Sequence, residues 1–437
     1  MSGEQIAKDA SAAFSSLKVL SNEQRSKALE EIHDSLRANK DAILKANQVD
    51  LENARKDNLS SSLIKRLDLS NPGKFDTMLQ GVLDVSNLPD PLGKITIAKK
   101  LDEGLNLYRV TAPIGVLLII FESRPEVIAN ITALAIKSGN SAILKGGKES
   151  YQTFKIMSEI VNQTLAEKTQ VPAKAIQLIQ SREDVADLLD QDKYIDLVIP
   201  RGSNELVRNI KANTKIPVLG HADGICSIYV DSEFDLGKAK KIVVDSKTNY
   251  PAGCNAVEQL LINKDVAEDK VKELLSTLIE AKVTLHIAPE LKSVVKDLDQ
   301  NYIVDADKDS FDMEYLSFDI AVKYVDNVDE AIKHINTHSS KHTESIITEN
   351  KETATKFMKS IDSAGVYWNA STRFADGFRY GFGTEVGIST NKIHARGPVG
   401  LEGLTSYQYN LIGDGHVVGE YVGGGGEKQF IHEDLNM

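Results

Sequence analysis

The chain has 437 residues, a formal net charge of −12 at pH 7, 41% hydrophobic residues and 26% charged residues. This balance is typical of soluble globular proteins, and the length predicts two or three domains with well-buried cores. The acidic charge disfavours nucleic acid as a partner, and the longest apolar run, Gly115 to Phe121, is far shorter than the roughly 20 residues that cross a bilayer.

The first part of the chain has helical periodicity. Apolar residues recur at spacings of three to four from Ile6 to Leu17 and from Ala28 to Leu36, which predicts two helices. Ser21 and Gln24 predict a capping box for the second helix. Between residues 95 and 110, two alternating runs flank an Asp-Glu-Gly turn, which predicts a β-hairpin inserted into the helical region.

From Gly115 onward, short apolar strands alternate with helices. The predicted strands are Gly115–Phe121, Ser141–Leu144, Ala175–Ile179, Asp196–Pro200 and Ile216–Leu219. The predicted helices run from Pro125 to Gly139, Tyr151 to Leu165, Val185 to Leu189 and Asn204 to Lys211. Strands that are apolar on both faces belong to parallel sheets covered by helices, so this region predicts a doubly wound α/β domain.

After Asp231 the alternation resumes with a helix, a loop at residues 250–255 and a strand at residues 257–262, which predicts a second α/β domain to about Gly387. Residues 404–422 contain β-type stretches that pair either with the early hairpin or with another chain. The four glycines that begin at Gly423 predict a flexible tail.

The two cysteines of the chain predict different roles. Cys254 lies in the loop Asn249-Tyr-Pro-Ala-Gly-Cys-Asn255, where partial exposure and backbone N–H groups stabilise a thiolate, so it is the candidate nucleophile. The alternative is a small buried hydrophobic residue. Cys226, on an apolar strand, is expected to be packing. Two cysteines form no disulfide framework, which favours a reducing, cytoplasmic compartment.

Two loops that follow predicted strands suit phosphate groups: Lys145-Gly146-Gly147-Lys148 and Pro200-Arg201-Gly202-Ser203. Ser203 is placed to cap the next helix. Loops at the carboxyl ends of parallel strands bind dinucleotides, but neither loop is a G-x-G-x-x-G fingerprint, so ordinary turns are the alternative.

His334, His338 and His342 recur every four residues, as metal ligands on one helix face would. The residues between them weaken the helix, and neither carboxylates nor a CxxC pair completes a ligand shell. We interpret these histidines as a helix end and loop before a strand at residues 345–348, and we predict no metal site.

Several longer motifs occur in a fixed order: Pro113-Ile-Gly-Val116, Phe121-Glu-Ser-Arg-Pro-Glu126, Leu144-Lys-Gly-Gly-Lys-Glu149, Ile199-Pro-Arg-Gly-Ser203, Pro251-Ala-Gly-Cys-Asn-Ala256, residues 325–346 and Gly381–Ser389. With these motifs nearly the whole chain resembles the glutamate-5-semialdehyde dehydrogenases, also called gamma-glutamyl phosphate reductases. They are a branch of the aldehyde dehydrogenase superfamily.

The resemblance implies reduction of L-glutamyl 5-phosphate by NADPH to L-glutamate 5-semialdehyde and phosphate, the second step of proline biosynthesis. Cys254 would then attack the acyl phosphate and form a thioester, which accepts hydride and collapses to the aldehyde. The backbone N–H of Cys254 is the first candidate donor to the tetrahedral oxyanion.

Two departures from the wider superfamily have physical explanations. Gly220-His221-Ala222-Asp223 stands where aldehyde-oxidising members carry a general-base Glu, which suits a thioester that goes to hydride rather than to water. Lys148 stands where others carry a Glu that binds the adenosine ribose. An ammonium group there attracts a 2′-phosphate, so NADPH is predicted over NADH.

The resemblance also implies binding roles. The candidates for the phosphate or α-carboxylate of the substrate are Arg124, Arg373, His394 and Arg396. Glu314 resembles the glutamate that binds the nicotinamide ribose.

The resemblance implies an aldehyde dehydrogenase-like α/β fold with two doubly wound domains and a β-flap for oligomerisation. We expect an NADPH-binding domain (residues 1–94 and 113–228), a catalytic domain (229–390), a flap (95–112 and 391–422) and a tail (423–437). The expected partners are further copies of the chain and, transiently, a separate glutamate 5-kinase. We expect neither a membrane nor nucleic acid as a partner.

Two alternatives stay open. The first is another enzyme of the same scaffold, either an aldehyde oxidiser or a reductase of a different acyl phosphate or thioester. The second is a catalytically silent protein that assembles through the flap. A reverse reaction that requires phosphate distinguishes the reductase of an acyl phosphate from the first alternative. Binding of NADPH distinguishes it from the second.

Overall fold

The structure is a computed structural model that describes residues 2–122, 124–179, 182–221 and 223–436. Ser123 and Ala222, which belong to predicted motifs, lie outside the described residues. Two parallel sheets covered by helices and one antiparallel sheet make up most of the fold. None of the helices formed by the described residues combines the length and apolar character that a membrane crossing requires.

Five helices open the chain: α1 (Gly3–Leu17), α2 (Asn22–Ala38), α3 (Lys40–Lys56), α4 (Ser61–Leu67) and α5 (Lys74–Asn87). The predicted capping box of α2 is confirmed, because the Ser21 hydroxyl accepts the Gln24 backbone N–H and the Gln24 side chain accepts the Ser21 N–H. The apolar faces of α1, α2, α3 and α5 join the cores of the first parallel sheet, whereas Leu67 of α4 packs with Leu51 and Ala54 in a separate small cluster.

The first parallel sheet has the strand order β5-β4-β3-β6. Its strands are β3 (Val116–Phe121), β4 (Ser141–Lys145), β5 (Ile176–Ile179) and β6 (Leu197–Arg201), and its helices are α6 (Val127–Lys137), α7 (Tyr151–Lys168), α8 (Arg182–Leu189) and α9 (Asn204–Ala212). Alternate residues of the central strand β3 enter two separate cores on opposite faces. The predicted doubly wound arrangement is therefore confirmed here.

The predicted strand at residues 216–219 is wrong as a full strand. Only one isolated bridge forms there, between Val198 and Val218. Pro217 accepts a hydrogen bond from Val198 but has no N–H to donate, so a regular ladder does not continue through this segment.

The second parallel sheet has the order β10-β9-β11-β8-β7-β12-β13. Its strands are β7 (Cys226–Val230), β8 (Val257–Asn263), β9 (Thr284–Ile287), β10 (Ile303–Asp305), β11 (Asp319–Val325), β12 (Thr343–Ile347) and β13 (Gly365–Trp368). Its helices are α10 (Leu236–Thr248), α11 (Glu268–Glu280), α12 (Lys292–Val295), α13 (Val328–His338) and α14 (Lys351–Ser360). Helices α10, α11 and α12 pack on one face of this sheet and α13 and α14 on the other. A short ribbon, β14 (Gly387–Ser389) and β15 (Gly397–Val399), follows it.

The antiparallel sheet has the order β16-β2-β1-β17. Its strands are β1 (Ile95–Asp102), β2 (Leu105–Pro113), β16 (Thr405–Ile412) and β17 (Glu433–Asp434). The hairpin at residues 102–104 is confirmed, and of the two predicted partners for the late strand the chain uses its own hairpin. The tail predicted to be flexible instead returns to β1, where Lys428 forms an ion pair with Asp102 and β17 adds an edge strand.

Candidate active site

Cys254 lies in the turn between α10 and β8, at the amino-terminal edge of the second sheet. The Gly253 N–H donates to the Tyr250 carbonyl at 3.0 Å, and the Thr372 hydroxyl donates to the Asn255 carbonyl at 2.7 Å. The side chain of Cys254 is half-buried. A thiol is thereby held on a fixed turn with one side open.

The segment that enters β7 packs directly against the backbone of Cys254. A Cβ atom added to Gly224 would lie 2.2 Å from the Cys254 carbonyl oxygen and 2.5 Å from its Cα atom, so no side chain fits there. The Cys226 thiol donates to the same carbonyl at 3.4 Å. Burial raises the pKa of Cys226 well above its usual value, which keeps this thiol protonated as a packing residue.

Two histidines lie beside Cys254. One ring nitrogen each of His221 and His342 and the Cys254 Sγ atom all lie within 4.8 Å of one another. The two rings meet edge to face with centroids 5.0 Å apart. The strand order β8-β7-β12 explains the cluster, because each of these residues precedes the start of one of three adjacent parallel strands.

The histidine triplet of the sequence divides between two places. His334 and His338 stack on each other at 4.4 Å on α13, where they contact Gln259 and Asp312. His342 lies instead with Cys254, and only 1% of it is exposed. The spacing along the sequence grouped these three histidines together and did not predict that His342 lies beside His221. A signal for a functional role of His221 was its position in the altered general-base motif.

The first predicted cofactor loop, residues 145–148, leaves the carboxyl end of β4. A Cβ atom added to Gly146 would lie 2.0 Å from the Phe154 ring, and one added to Gly147 would lie 2.1 Å from the Glu149 carboxylate. Lys145 is buried, whereas Lys148 is exposed. Glycine is needed at both positions because the Phe154 ring and the Glu149 side chain pack against this loop.

The second predicted loop, Pro200–Ser203, ends β6. Pro200 pairs with Ile120 inside the sheet, so it is a strand residue. The Ser203 hydroxyl accepts the Leu206 N–H as the predicted cap, but the Ser203 N–H donates to the Glu122 carboxylate at 3.1 Å. The amino end of α9 thus already holds an anion from the chain itself, and a phosphate at this point must displace it.

Arg201 lies close enough to Cys254 for their charges to interact. Burial and the neighbouring Arg124 guanidinium lower its pKa, whereas the charges of Glu385 and of Cys254 act in the opposite direction. A predicted cofactor residue therefore lies within electrostatic reach of the thiol.

Glu314 links the two sheets near Cys254. The Asn204 side chain of α9 donates to its carboxylate at 3.1 Å, and the backbone N–H of Gly224 donates to it as well. Burial raises the pKa of Glu314. Because Gly224 touches the Cys254 backbone, this carboxylate lies beside the turn that carries the thiol.

A cavity of about 330 Å³ adjoins the turn and is lined by Arg66, Lys74, Arg124, Glu126 and Tyr250. Three cationic side chains and one carboxylate line it, and Lys74 forms an ion pair with Glu126 at 3.5 Å, so the net charge of the lining favours an anion. Arg373 closes the neighbouring side, with its guanidinium 5.6 Å from the centre of the Tyr250 ring. Burial, followed by the nearby Arg379 charge, lowers the pKa of Arg373.

The other two predicted substrate residues have contacts elsewhere. His394 lies 2.9 Å from the Gly403 carbonyl oxygen, and Arg396 donates to the Asp362 carbonyl at 3.0 Å. Within the described ranges, no hydrogen bond or ion pair joins either residue to the Cys254 turn. Arg124 and Arg373 lie beside the turn that carries the thiol, whereas His394 and Arg396 are held by the carbonyl groups of Gly403 and Asp362 in other loops.

Comparisons with known proteins agree with the fold and the site. The sequence model of the aldehyde dehydrogenase family matches residues 2–294. The chain is 60% identical to gamma-glutamyl phosphate reductase of Saccharomyces cerevisiae, covering 100% of this chain and 98% of that protein. It is 54% identical to the probable gamma-glutamyl phosphate reductase of Schizosaccharomyces pombe, over 100% of this chain and 98% of the relative.

A solved structure is similar throughout. The crystal structure of gamma-glutamyl phosphate reductase from Thermotoga maritima gives a TM-score of 0.92 at 38% identity, covering 95% of this chain and 100% of the other. The resemblance in the sequence motifs and the predicted α/β architecture are both confirmed by these matches.

Proposed function

The chain belongs to the aldehyde dehydrogenase family and, within it, to the gamma-glutamyl phosphate reductases, and we propose that it reduces L-glutamyl 5-phosphate to L-glutamate 5-semialdehyde and phosphate. This reaction is the second step of proline biosynthesis. The observation that carries the proposal is the half-buried Cys254 thiol on a fixed turn beside an anion-binding cavity.

The nucleophile in this proposal is Cys254. Its thiolate attacks the acyl carbon, phosphate departs, and the glutamyl group is held as a thioester. The backbone N–H of Cys254 donates to no acceptor among the described residues, so it is available to the oxyanion that forms on the acyl carbon. A fixed turn keeps this donor in place without reorganisation during the reaction.

The cationic side chains around the cavity hold the substrate in this proposal. A glutamyl phosphate carries a phosphoryl group at one end and an α-carboxylate at the other, so it needs cations in two places. Arg124 lines the cavity, Arg201 lies within reach of the thiol, and Arg373 flanks the turn. Arginine suits both anions because its guanidinium donates two parallel hydrogen bonds.

A nicotinamide cofactor is expected from the family, and we propose NADPH. When bound, NADPH supplies the hydride that reduces the thioester carbonyl. The loop at residues 145–148 lies at the carboxyl end of β4, where dinucleotides bind in parallel sheets. Lys148 offers an exposed ammonium group to a 2′-phosphate, and Glu314 offers a carboxylate to the ribose beside the thiol.

Lys148→Glu tests the preference for NADPH. The substitution exchanges an attractive charge for a repulsive one, so the ratio of kcat/KM for NADPH over NADH is expected to fall about tenfold or more. Lys155→Glu, on the exposed face of α7, makes the same charge change and is expected to leave the ratio unchanged. An unaltered preference in Lys148→Glu contradicts the assignment of this lysine.

The reverse reaction tests the proposed function. With glutamate semialdehyde and NADP⁺, NADPH is expected to form continuously only when inorganic phosphate is added and to stop at about one equivalent per enzyme without it, because the thioester on Cys254 needs phosphate as its acceptor. Formation of NADPH at the same rate without phosphate contradicts the proposal and supports an aldehyde oxidiser. Failure of the protein to bind NADPH in a fluorescence titration supports the silent scaffold.

We also propose a homo-oligomer built through the flap. Strand β16 is an edge strand, and its outward residues Tyr407, Tyr409 and Leu411 are each more than half exposed. Edge strands with exposed aromatic residues pair readily with another chain. We also propose a division into a cofactor domain (1–94 and 113–228), a catalytic domain (229–390), the flap (95–112 and 391–422) and the tail (423–437).

The cellular setting follows from the chemistry in this proposal. Both cysteines are free thiols, which suits the reducing cytoplasm. Acyl phosphates hydrolyse readily, so a separate glutamate 5-kinase that makes the substrate is expected to hand it over in a transient contact.

A further inference from the structure

His221 lies where the catalytic thiol needs a proton acceptor. One of its ring nitrogens belongs to the cluster with Cys254 and His342, whose atoms lie within 4.8 Å of one another. A span of 4.8 Å is longer than a hydrogen bond, but catalytic hydrogen bonds are often long before substrate binds and tighten in the complex.

The tautomer of His221 is fixed by the backbone. Its Nδ1 atom lies 2.9 Å from the Ile388 carbonyl oxygen, and a carbonyl oxygen can only accept. Nδ1 therefore carries the ring proton and donates it. The neutral ring then presents a lone pair on Nε2, which is the arrangement of a base.

The surroundings keep His221 neutral. Burial lowers its pKa, and the charges of Arg201 and Lys211 act in the same direction. Glu314 and the bond to the Ile388 carbonyl oppose them, and Glu385 also lies within electrostatic range. Because burial is the largest influence, the ring is an acceptor at neutral pH.

His342 differs from His221 in this respect. Its Nδ1 atom lies 2.9 Å from the Thr343 hydroxyl, which can donate or accept, so neither tautomer is imposed. Its Nε2 atom is buried without a partner among the described residues. His342 packs edge to face against the His221 ring and restricts its orientation.

We propose that His221 is the general base that removes the proton from the Cys254 thiol, and this proposal rests on the proposed function of Cys254 as the nucleophile. The S–H bond breaks as an N–H bond forms on Nε2, which gives a thiolate and an imidazolium without transfer of electrons. The thiolate attacks the acyl carbon. The imidazolium then returns its proton to the departing phosphate, so His221 is neutral again when the thioester has formed.

The proposal also concerns the superfamily's altered motif. The sequence resemblance implies that His221 stands in the segment where aldehyde-oxidising members carry a base for water. In this chain the base takes its proton from the Cys254 thiol rather than from water. After the thiolate has attacked, the imidazolium of His221 gives that proton to the departing phosphate. Hydride reduction of the thioester finally releases the aldehyde and a thiolate, which takes its proton from the solvent.

The test is the alkylation of Cys254 by iodoacetamide in the free enzyme, followed by peptide mass spectrometry across a range of pH. His221→Gln keeps an N–H donor for the Ile388 carbonyl and removes the base. Its alkylation rate at pH 7 is expected to be about tenfold or more below that of the wild type. At alkaline pH, where hydroxide removes the proton, the two rates are expected to converge.

His338→Gln is the control, because His338 lies on α13, contacts Asp312 and, within the described part of the chain, touches neither the thiol nor His221. Its alkylation rate is expected to stay within about threefold of the wild type. His342→Gln is measured as the variant of the competing base. A wild-type rate in His221→Gln at pH 7, or a larger loss in His342→Gln, overturns the proposal. If His221→Gln fails to fold, His221→Ala assayed with added imidazole replaces it, and acceleration of alkylation by imidazole is the expected result. Absence of that acceleration overturns the proposal.

This experiment is separate from the proposed function, because alkylation needs neither substrate nor cofactor. If the reverse reaction does not depend on phosphate but alkylation of Cys254 is slow in His221→Gln, the proposed function is wrong and the role of His221 as the base is supported. If the reverse reaction depends on phosphate but Cys254 is alkylated at the wild-type rate in His221→Gln, the proposed function is supported and the role of His221 as the base is wrong.

Discussion

Cys254→Ala is expected to lower turnover by at least about 10⁴-fold, because removal of a covalent nucleophile leaves only binding and oxyanion stabilisation. NADPH binding, measured by fluorescence titration, is expected to persist, since the cofactor loops belong to the other sheet. The measurement is the steady-state rate in the phosphate-dependent reverse assay.

Cys226→Ala provides the control for Cys254→Ala. Both substitutions remove one thiol, and the two cysteines are in contact, but Cys226 is fully buried and donates only to a carbonyl. Its loss is expected to change turnover by no more than about threefold, at a modest cost in stability from the small cavity. Retention of more than about 1% of activity in Cys254→Ala contradicts the account.

Gly224→Ala is expected to lower kcat by about 100-fold. The new Cβ atom would lie 2.2 Å from the Cys254 carbonyl oxygen, so the turn must move by about 1 Å, and a displacement of that size at a reacting group has this effect. The neighbouring atoms are backbone, which cannot move aside as the end of a flexible side chain does. KM for the substrate is expected to change less than kcat.

Gly220→Ala is the matched control for Gly224→Ala. It lies in the same segment, but its added Cβ atom would lie 3.4 Å from the Pro200 carbonyl oxygen, which is close to ordinary contact. Its kcat is expected to stay within about threefold of the wild type, and both variants need to melt within a few degrees of it. Equal losses in the two variants contradict the role given to the Gly224 contact.

The sequence predicted the elements whose signals are local. The apolar strand before Pro125 and the Asp-Glu-Gly hairpin appear at the predicted places, because burial on both faces and turn chemistry are written in adjacent residues. The segment at residues 216–219 has an apolar pattern but also Pro217, and the missing N–H outweighed the pattern. The tail returned to the flap because Asp102 supplies a distant partner for Lys428.

Site residues could be predicted from the sequence only where they belong to a recognisable local motif. Cys254 is marked by its Pro-Ala-Gly turn, whereas His342 reaches it only because β12 lies beside β7 in the sheet. Strand order is a long-range property that spacing along the chain does not encode. The same limit explains why His394 and Arg396, chosen as cations in motif-like segments, have their contacts within other loops.

The most direct test of the central claim is the mass of the enzyme during turnover. When the protein is mixed with glutamate semialdehyde and NADP⁺ without phosphate and quenched in acid, a glutamyl adduct is expected on the peptide that contains Cys254. Added phosphate is expected to remove it. An adduct on any other residue, or an unmodified Cys254 peptide in the phosphate-free mixture of an enzyme that is active when phosphate is added, would contradict the account.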